Sequence, residues 1–167
     1  ISGITNKGVP DMRALALSFS ALALAAGSAA MLTQAPALAA AAGKIAIGGE
    51  APMFTTTGAK AGKAYKLNLA SELKKGPVVL YFFPKAFTSG CTAEAHEFAT
   101  RMDDFKKAGA TVIGLSADGI DELKKFSTEA CQSKFTVAQA TPQMIQAYGV
   151  GLAGRPNMTG RTSMVVA

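Results

Sequence analysis

The sequence predicts a three-layer α/β domain, a sheet with helices on both faces, preceded by a segment that is not part of it. Two continuous apolar runs carry this reading: residues 77–83 (PVVLYFF) and 111–116 (TVIGLS). A strand with one face in water alternates polar and apolar residues, so an unbroken apolar run marks a strand buried on both faces. Between the runs, residues 91–107 carry apolar side chains at helical spacing. Strand–helix–strand order predicts a parallel pair joined by a right-handed crossover.

The remaining elements follow in order. Residues 53–57 and 64–69 read as a short hairpin turning through 58–63. After the first buried strand comes one helix over 91–107, stopped by Gly109, and then the second buried strand. Residues 119–132 and 141–148 read as two further helices, and 161–167 (RTSMVVA) as a last strand.

The first 39 residues have a different character. Met12 and Arg13 precede thirty residues without a charge, 14–43, in which an alanine- and leucine-rich centre ends in Ala37-Leu38-Ala39. A basic start, an apolar centre and a small-residue exit are the parts of a secretory signal peptide. The reading is therefore residues 1–11 upstream of the true start, 12–39 a signal cleaved after Ala39, and 40–167 the domain. A bacterial periplasmic or secreted location follows, with no stable membrane association once the signal is removed. An uncleaved anchor is the alternative, since about 20 apolar residues span a bilayer; Pro36 and the many alanines speak against it.

The formal charge is +6, but the basic residues are mostly lysine pairs near acids, such as Lys106-Lys107 after Asp103-Asp104. A nucleic-acid binder would cluster Lys and Arg with interleaved aromatics, so nucleic acid is not expected as a partner. The two cysteines are too few for a disulfide scaffold. With one histidine and no Cys-x-x-Cys, no metal site is expected, and no cofactor.

The junction of the first buried strand and first helix holds the chemistry: Pro84-Lys85-Ala86-Phe87-Thr88-Ser89-Gly90-Cys91. In open parallel sheets ligands sit beyond the carboxyl ends of the strands. Helix N-termini present unpaired N–H groups and partial positive charge, which favour a thiolate. Thr88 can offer a hydroxyl to the sulfur or to a bound oxygen, and Pro84 stiffens and shields the loop. At about 100° per residue, Phe98, Met102 and Phe105 fall within about 40° of Cys91, so the sulfur heads a core-facing stripe. His96 points about 140° away and is not read as an activating base. On position alone Cys91 serves equally well as an inert core cysteine.

The pattern Pro84-x-x-x-Thr88-x-x-Cys91 resembles the active-site signature of the peroxiredoxins, the alkyl hydroperoxide reductase/thiol-specific antioxidant superfamily. The surrounding Tyr81-Phe82-Phe83-Pro84-Lys85 and Thr92-Ala93-Glu94 are similar to the Q-type, bacterioferritin-comigratory branch. So are Gly49-Glu50-Ala51-Pro52-Met53-Phe54, Gly114-Leu115-Ser116-Ala117-Asp118, Ala147-Tyr148-Gly149-Val150 and Arg161-Thr162-Ser163. The resemblance implies a thioredoxin-like fold with a mixed central sheet, here lacking its last strand and helix. It also implies an antioxidant, thiol-dependent peroxidase acting on hydrogen peroxide and organic hydroperoxides. Cys91 is then the peroxidatic sulfur, passing through a sulfenic acid. Thr88 and Arg161 would hydrogen-bond the peroxide oxygens, with Pro84 limiting water. Glu94 would pair with an arginine, although a first-turn acid is favoured by the helix dipole in any case. Arg155 competes with Arg161, but only Arg161 opens a strand in the family manner.

Many members of that branch place a resolving cysteine five residues after the first; here that position is His96. Cys131 is the remaining candidate, late in the second helix and on the face of Ser127, near which some peroxiredoxins place their resolver. Burial as a packed core thiol is its alternative role. The expected partners are a hydroperoxide and a thiol reductant such as a thioredoxin-like protein, with the chain a monomer or homodimer. Two other functions compete: a thiol-disulfide oxidoreductase, which wants Cys-x-x-Cys where this chain has Thr88-x-x-Cys91, and a non-enzymatic periplasmic binding or chaperone module on the same fold.

Overall fold

The computed structural model describes residues 45–167, so the expected signal segment lies outside the described residues. The chain runs β1 (Thr55–Lys60), β2 (Lys63–Asn68), α1 (Leu69–Leu73), β3 (Val78–Phe82), α2 (Ser89–Thr100) and α3 (Met102–Lys107). It continues through β4 (Thr111–Ser116), α4 (Ile120–Glu129), β5 (Thr136–Gln139), α5 (Pro142–Tyr148), β6 (Gly151–Leu152), β7 (Arg155–Thr159) and β8 (Thr162–Val166).

Six strands form one mixed sheet in the order β2-β1-β5-β4-β3-β8, and β6 with β7 forms a separate hairpin. The two long apolar runs become its neighbouring strands β3 and β4, parallel from Val78↔Thr111 to Phe82↔Leu115. On its other side β3 pairs antiparallel with β8, Phe82 facing Thr162. Alternate side chains leave a strand on opposite faces, and β3 uses both. Leu80 and Phe82 pack with Leu69, Ile113, Ile145 and Tyr148, under α1 and α5. Tyr81 joins Phe83, Met102, Phe126 and Val137, under α2, α3 and α4. Each such fully buried large side chain contributes about 1.5–3 kcal/mol, so β3 anchors both layers.

Several boundaries differ from the sequence reading, each for a local reason. The hairpin turn is only Ala61-Gly62, both at positive φ (50° and 76°), the two-residue geometry that matches strand twist. The second hairpin strand ends one residue early because Asn68 caps α1, its Oδ1 accepting from Ser71 N–H at 2.9 Å. The helix expected over 91–107 begins at Ser89 and is interrupted at Arg101 (ψ 7°). Asp103 and Asp104 then occupy the first turn of α3, and Lys106 and Lys107 its last, the charge order a new helix favours. Gly109, at φ +67, ends α3 as expected. The helix expected over 119–132 stops at Glu129, and Cys131 therefore lies beyond it. Its main chain leads into a turn closed by Lys134 N–H on Cys131 O, with Gln132 and Ser133 both at positive φ. Strand β5 is four residues long, too short to show a period, and is specified by the two strands that flank it.

Three buried weak acids hold their protons more tightly in the folded state. Burial pushes the Cys131 thiol and the Tyr81 phenol up, and Tyr148 up to about 12. A group that holds its proton more tightly when folded contributes stability that is intact below its unfolded value, here 9.0 for Cys and 10.0 for Tyr, and lost as pH rises above it. The melting temperature is therefore expected to fall as pH is raised above about 9, and Cys131→Ala to flatten the earliest part of that fall; thermal unfolding against pH measures both. Tyr81 Oη is buried with no hydrogen-bond partner among the described residues. Tyr81→Phe is thus expected to stabilise the fold by about 1 kcal/mol, read as a rise in melting temperature.

Candidate active site

The site forms where β3 ends. Residues 83–88 cross from the sheet to α2, which starts with Thr88 as its N-cap. The third residue of α2, Cys91, is turned into the sheet-facing cluster and is 1% exposed. Met102, buried, and Phe98 and Phe105, half-buried, line the same cluster, as their spacing predicts. His96 is exposed on the outer face of α2.

A single guanidinium joins the chemistry. Arg161 Nη2 donates to Cys91 Sγ at 3.3 Å, and Nη1 donates to Glu94 Oε2 at 2.5 Å. Cys91 and Glu94 are i and i+3 on α2, hence on one face within reach of one planar fork. The pairing of β8 with β3 brings Arg161 there: Thr162 faces Phe82, so Arg161 stands level with the start of the loop. Buried Thr159 adds a second tie, its Oγ1 donating to Phe83 O. The Arg161 and Glu94 side chains are 47% and 28% exposed, so their ion pair adds little to stability and its effect is positional. Close approach of the guanidinium depends on Gly90, where a Cβ would stand 2.7 Å from Nη2.

Thr88 sits at the helix start, and its hydroxyl donates to Lys85 O at 3.1 Å, which leaves its lone pairs to accept. Pro84 is half-buried at the loop's root. Arg155 is exposed on β7 with Met158 Sδ as its partner, whereas the guanidinium bonded to the thiol is that of Arg161. Cys131 is fully buried in the same apolar cluster as Cys91, and both are free thiols. Ser127 is occupied structurally, accepting from Gly62 N–H and donating to Lys124 O.

Three features of the site were not read from the sequence. Asp118 accepts from Ala86 N–H at 2.6 Å, from Ser116 Oγ at 2.7 Å and from Lys85 Nζ at 3.2 Å. Its signal was available: Ser116-x-Asp118 follows β4, and parallel strands end at the same edge of the sheet. Phe87 takes φ +61°, rare for an aromatic residue, and rests edge-on against Phe126 at 5.2 Å. No residue pattern announces that angle. The role of Gly90 appears only once Arg161 is in place.

A thiol at a helix N-terminus, met by a guanidinium at the carboxyl edge of a mixed sheet, defines a cysteine-based site on a thioredoxin-like scaffold. Solved structures share the fold: Mycobacterium bovis AhpC (TM-score 0.65, 20% identity, 74% of this chain and 76% of that one) and reduced Plasmodium vivax 2-Cys peroxiredoxin (TM-score 0.63, 22% identity, 71% and 65%). The AhpC/TSA family model matches residues 47–167, and the chain belongs to that family. Among its relatives, peroxiredoxin Q of the chloroplast of Oryza sativa subsp. japonica is 44% identical over 84 residues, 50% of this chain and 37% of that protein. Peroxiredoxin Bcp of Escherichia coli is 34% identical over 85 residues, 51% of this chain and 53% of that protein. The matches thus span about half or less of these relatives' length.

Gly90→Ala tests the arginine contact. The added methyl is expected to push Nη2 off the sulfur and slow oxidation of Cys91 by hydrogen peroxide on the order of tenfold or more. The melting temperature should not fall, since alanine is the better helix former. Stopped-flow oxidation and thermal unfolding check the two halves.

Proposed function

We propose that the chain is a thiol-dependent peroxidase acting on hydrogen peroxide and organic hydroperoxides, with Cys91 as its peroxidatic residue. The observation that carries this is the Arg161 fork, which binds Cys91 Sγ and Glu94 together at the start of α2. The names of the Q and Bcp relatives support the same reading.

In this mechanism the ionised sulfur attacks the terminal oxygen of the hydroperoxide. The S–O bond forms as the O–O bond breaks, leaving Cys91 as a sulfenic acid and releasing an alkoxide, or hydroxide, that takes a proton from solvent. Negative charge moves from sulfur to the departing oxygen, and Arg161 stands where it can follow that charge. Glu94 holds the fork in plane. Thr88 accepts from the incoming hydroperoxide O–H, Pro84 limits water, and the near-complete burial of Cys91 favours hydrogen peroxide and small organic hydroperoxides over bulky ones.

A thiol then condenses with the sulfenic acid, forming a disulfide and expelling water. Cys131 is favoured for this step because it packs in the same cluster as Cys91. A second reading, an external thiol such as that of a thioredoxin-like protein, is favoured by the burial that keeps Cys131 protonated. We also place the reaction in the periplasm or outside the cell, on the strength of residues 12–39.

The test is peroxide consumption with a thiol reductant present. Turnover should vanish in Cys91→Ser, and Cys131→Ser should still form one sulfenic acid per chain. Full turnover in Cys91→Ser would overturn the proposal. Thiol titration after one equivalent of peroxide, without reductant, separates the routes. Loss of both thiols within a monomeric product assigns resolution to Cys131; loss of one assigns it to an external thiol.

A further inference from the structure

The peroxidase reading, on which this inference rests, leaves one problem. A sulfur 1% exposed admits a peroxide but no thiol large enough to reduce it, whether Cys131 or another molecule. Residues 84–88 must therefore open after oxidation and close before the next attack. What holds them closed is visible. The Asp118 side chain is only 7% exposed, and three donors converge on its carboxylate. Ser116 Oγ orients it from β4, while Ala86 N–H and Lys85 Nζ reach it from the loop. Lys85 also lies 3.8 Å from Glu122, which closes the cluster from α4.

The loop has a reason to open. Phe87, next to Ala86, is held at φ +61°, a conformation that costs on the order of 1–3 kcal/mol. Its ring, 42% exposed, meets Phe126 edge-on, so burial offsets this strain only in part. The strain at Phe87 and the bonds to the Asp118 carboxylate thus act on this segment in opposite senses.

We propose that Asp118 is a positioning residue that latches residues 84–88 over Cys91 and so sets how often the oxidised sulfur is released to a thiol. It touches no reacting atom. A neutral amide in its place keeps the shape but weakens the bonds to Ala86 N–H and Lys85.

The experiment uses the full chain carrying Cys131→Ala, so that only Cys91 reacts, with and without Asp118→Asn. Asp118→Asn is expected to raise labelling of reduced Cys91 by a bulky maleimide, and reduction of the sulfenic form by dithiothreitol, by about tenfold each, the weight of a hydrogen bond to a charged group. Oxidation by hydrogen peroxide should fall by no more than about twofold, since the closed loop still predominates. A residue that merely supported the fold would not accelerate one half-reaction while sparing the other. Unchanged or slower labelling would overturn the proposal. If Asp118→Asn does not fold, Ser116→Ala decides in the same way, with a smaller increase expected and no increase counting against the latch. Failure of wild-type Cys91 to react with peroxide would sink the peroxidase reading alone, because maleimide labelling reports loop opening without it.

Discussion

Strand β3 is bonded on both edges and buried on both faces, and the rest of the domain is arranged around that constraint. Its parallel partner β4 delivers Ser116 and Asp118 to the edge where β3 ends. Its antiparallel partner β8 begins at that same edge and delivers Arg161. The chain leaving β3 supplies the loop and the first turn of α2. Three segments far apart in sequence thus meet because strand pairing gives them no other register. A one-residue slip of β8 would turn its inward-facing side chains outward and carry Arg161 away from the sulfur. Core packing, which fixes the register, is in this sense the first determinant of the site.

The forces that hold the domain and those that shape the site differ in size and kind. Apolar burial on the two faces of the sheet supplies the stability. The polar contacts around Cys91 are few, partly exposed and worth little as stability. Their value is geometric, since each restricts a group that the others leave free. Arg161 is fixed by Glu94, the loop by Asp118, and the approach between guanidinium and helix by the missing side chain at Gly90. Tyr81 Oη, without a partner among the described residues inside the same cluster, shows that this region is not optimised for stability alone.

How much of this was legible depended on the range of the interaction involved. Strands β3 and β4, the hairpin and α5 follow from hydrophobic runs and turn residues, because burial on two faces writes a local pattern. The interruption at Arg101 was missed although Asp103 and Asp104 announce a helix start, since the apolar stripe of residues 91–105 runs on through it. The end of α4 before Cys131 is set by two residues at positive φ, Gln132 and Ser133, and neither is of a type that signals it. At the site, Cys91 and Glu94 could be placed on one helix face by spacing, but Arg161 lies seventy residues further on and entered only through the family resemblance. Asp118 stood within a recognised stretch with no role attached, because its function is to grip a main-chain amide that has no sequence signature.

That grip has a consequence for variation along the loop. The carboxylate of Asp118 meets the N–H of residue 86 and not its side chain, so nearly any amino acid there could present the required donor. Proline alone could not, having no N–H to give. The buried methyl of Ala86 adds a limit on bulk, since it lies in the same cluster as Cys91. Tolerance at this position is therefore governed by size and by the identity of one atom, and small residues other than proline could replace one another here while preserving the geometry around the sulfur.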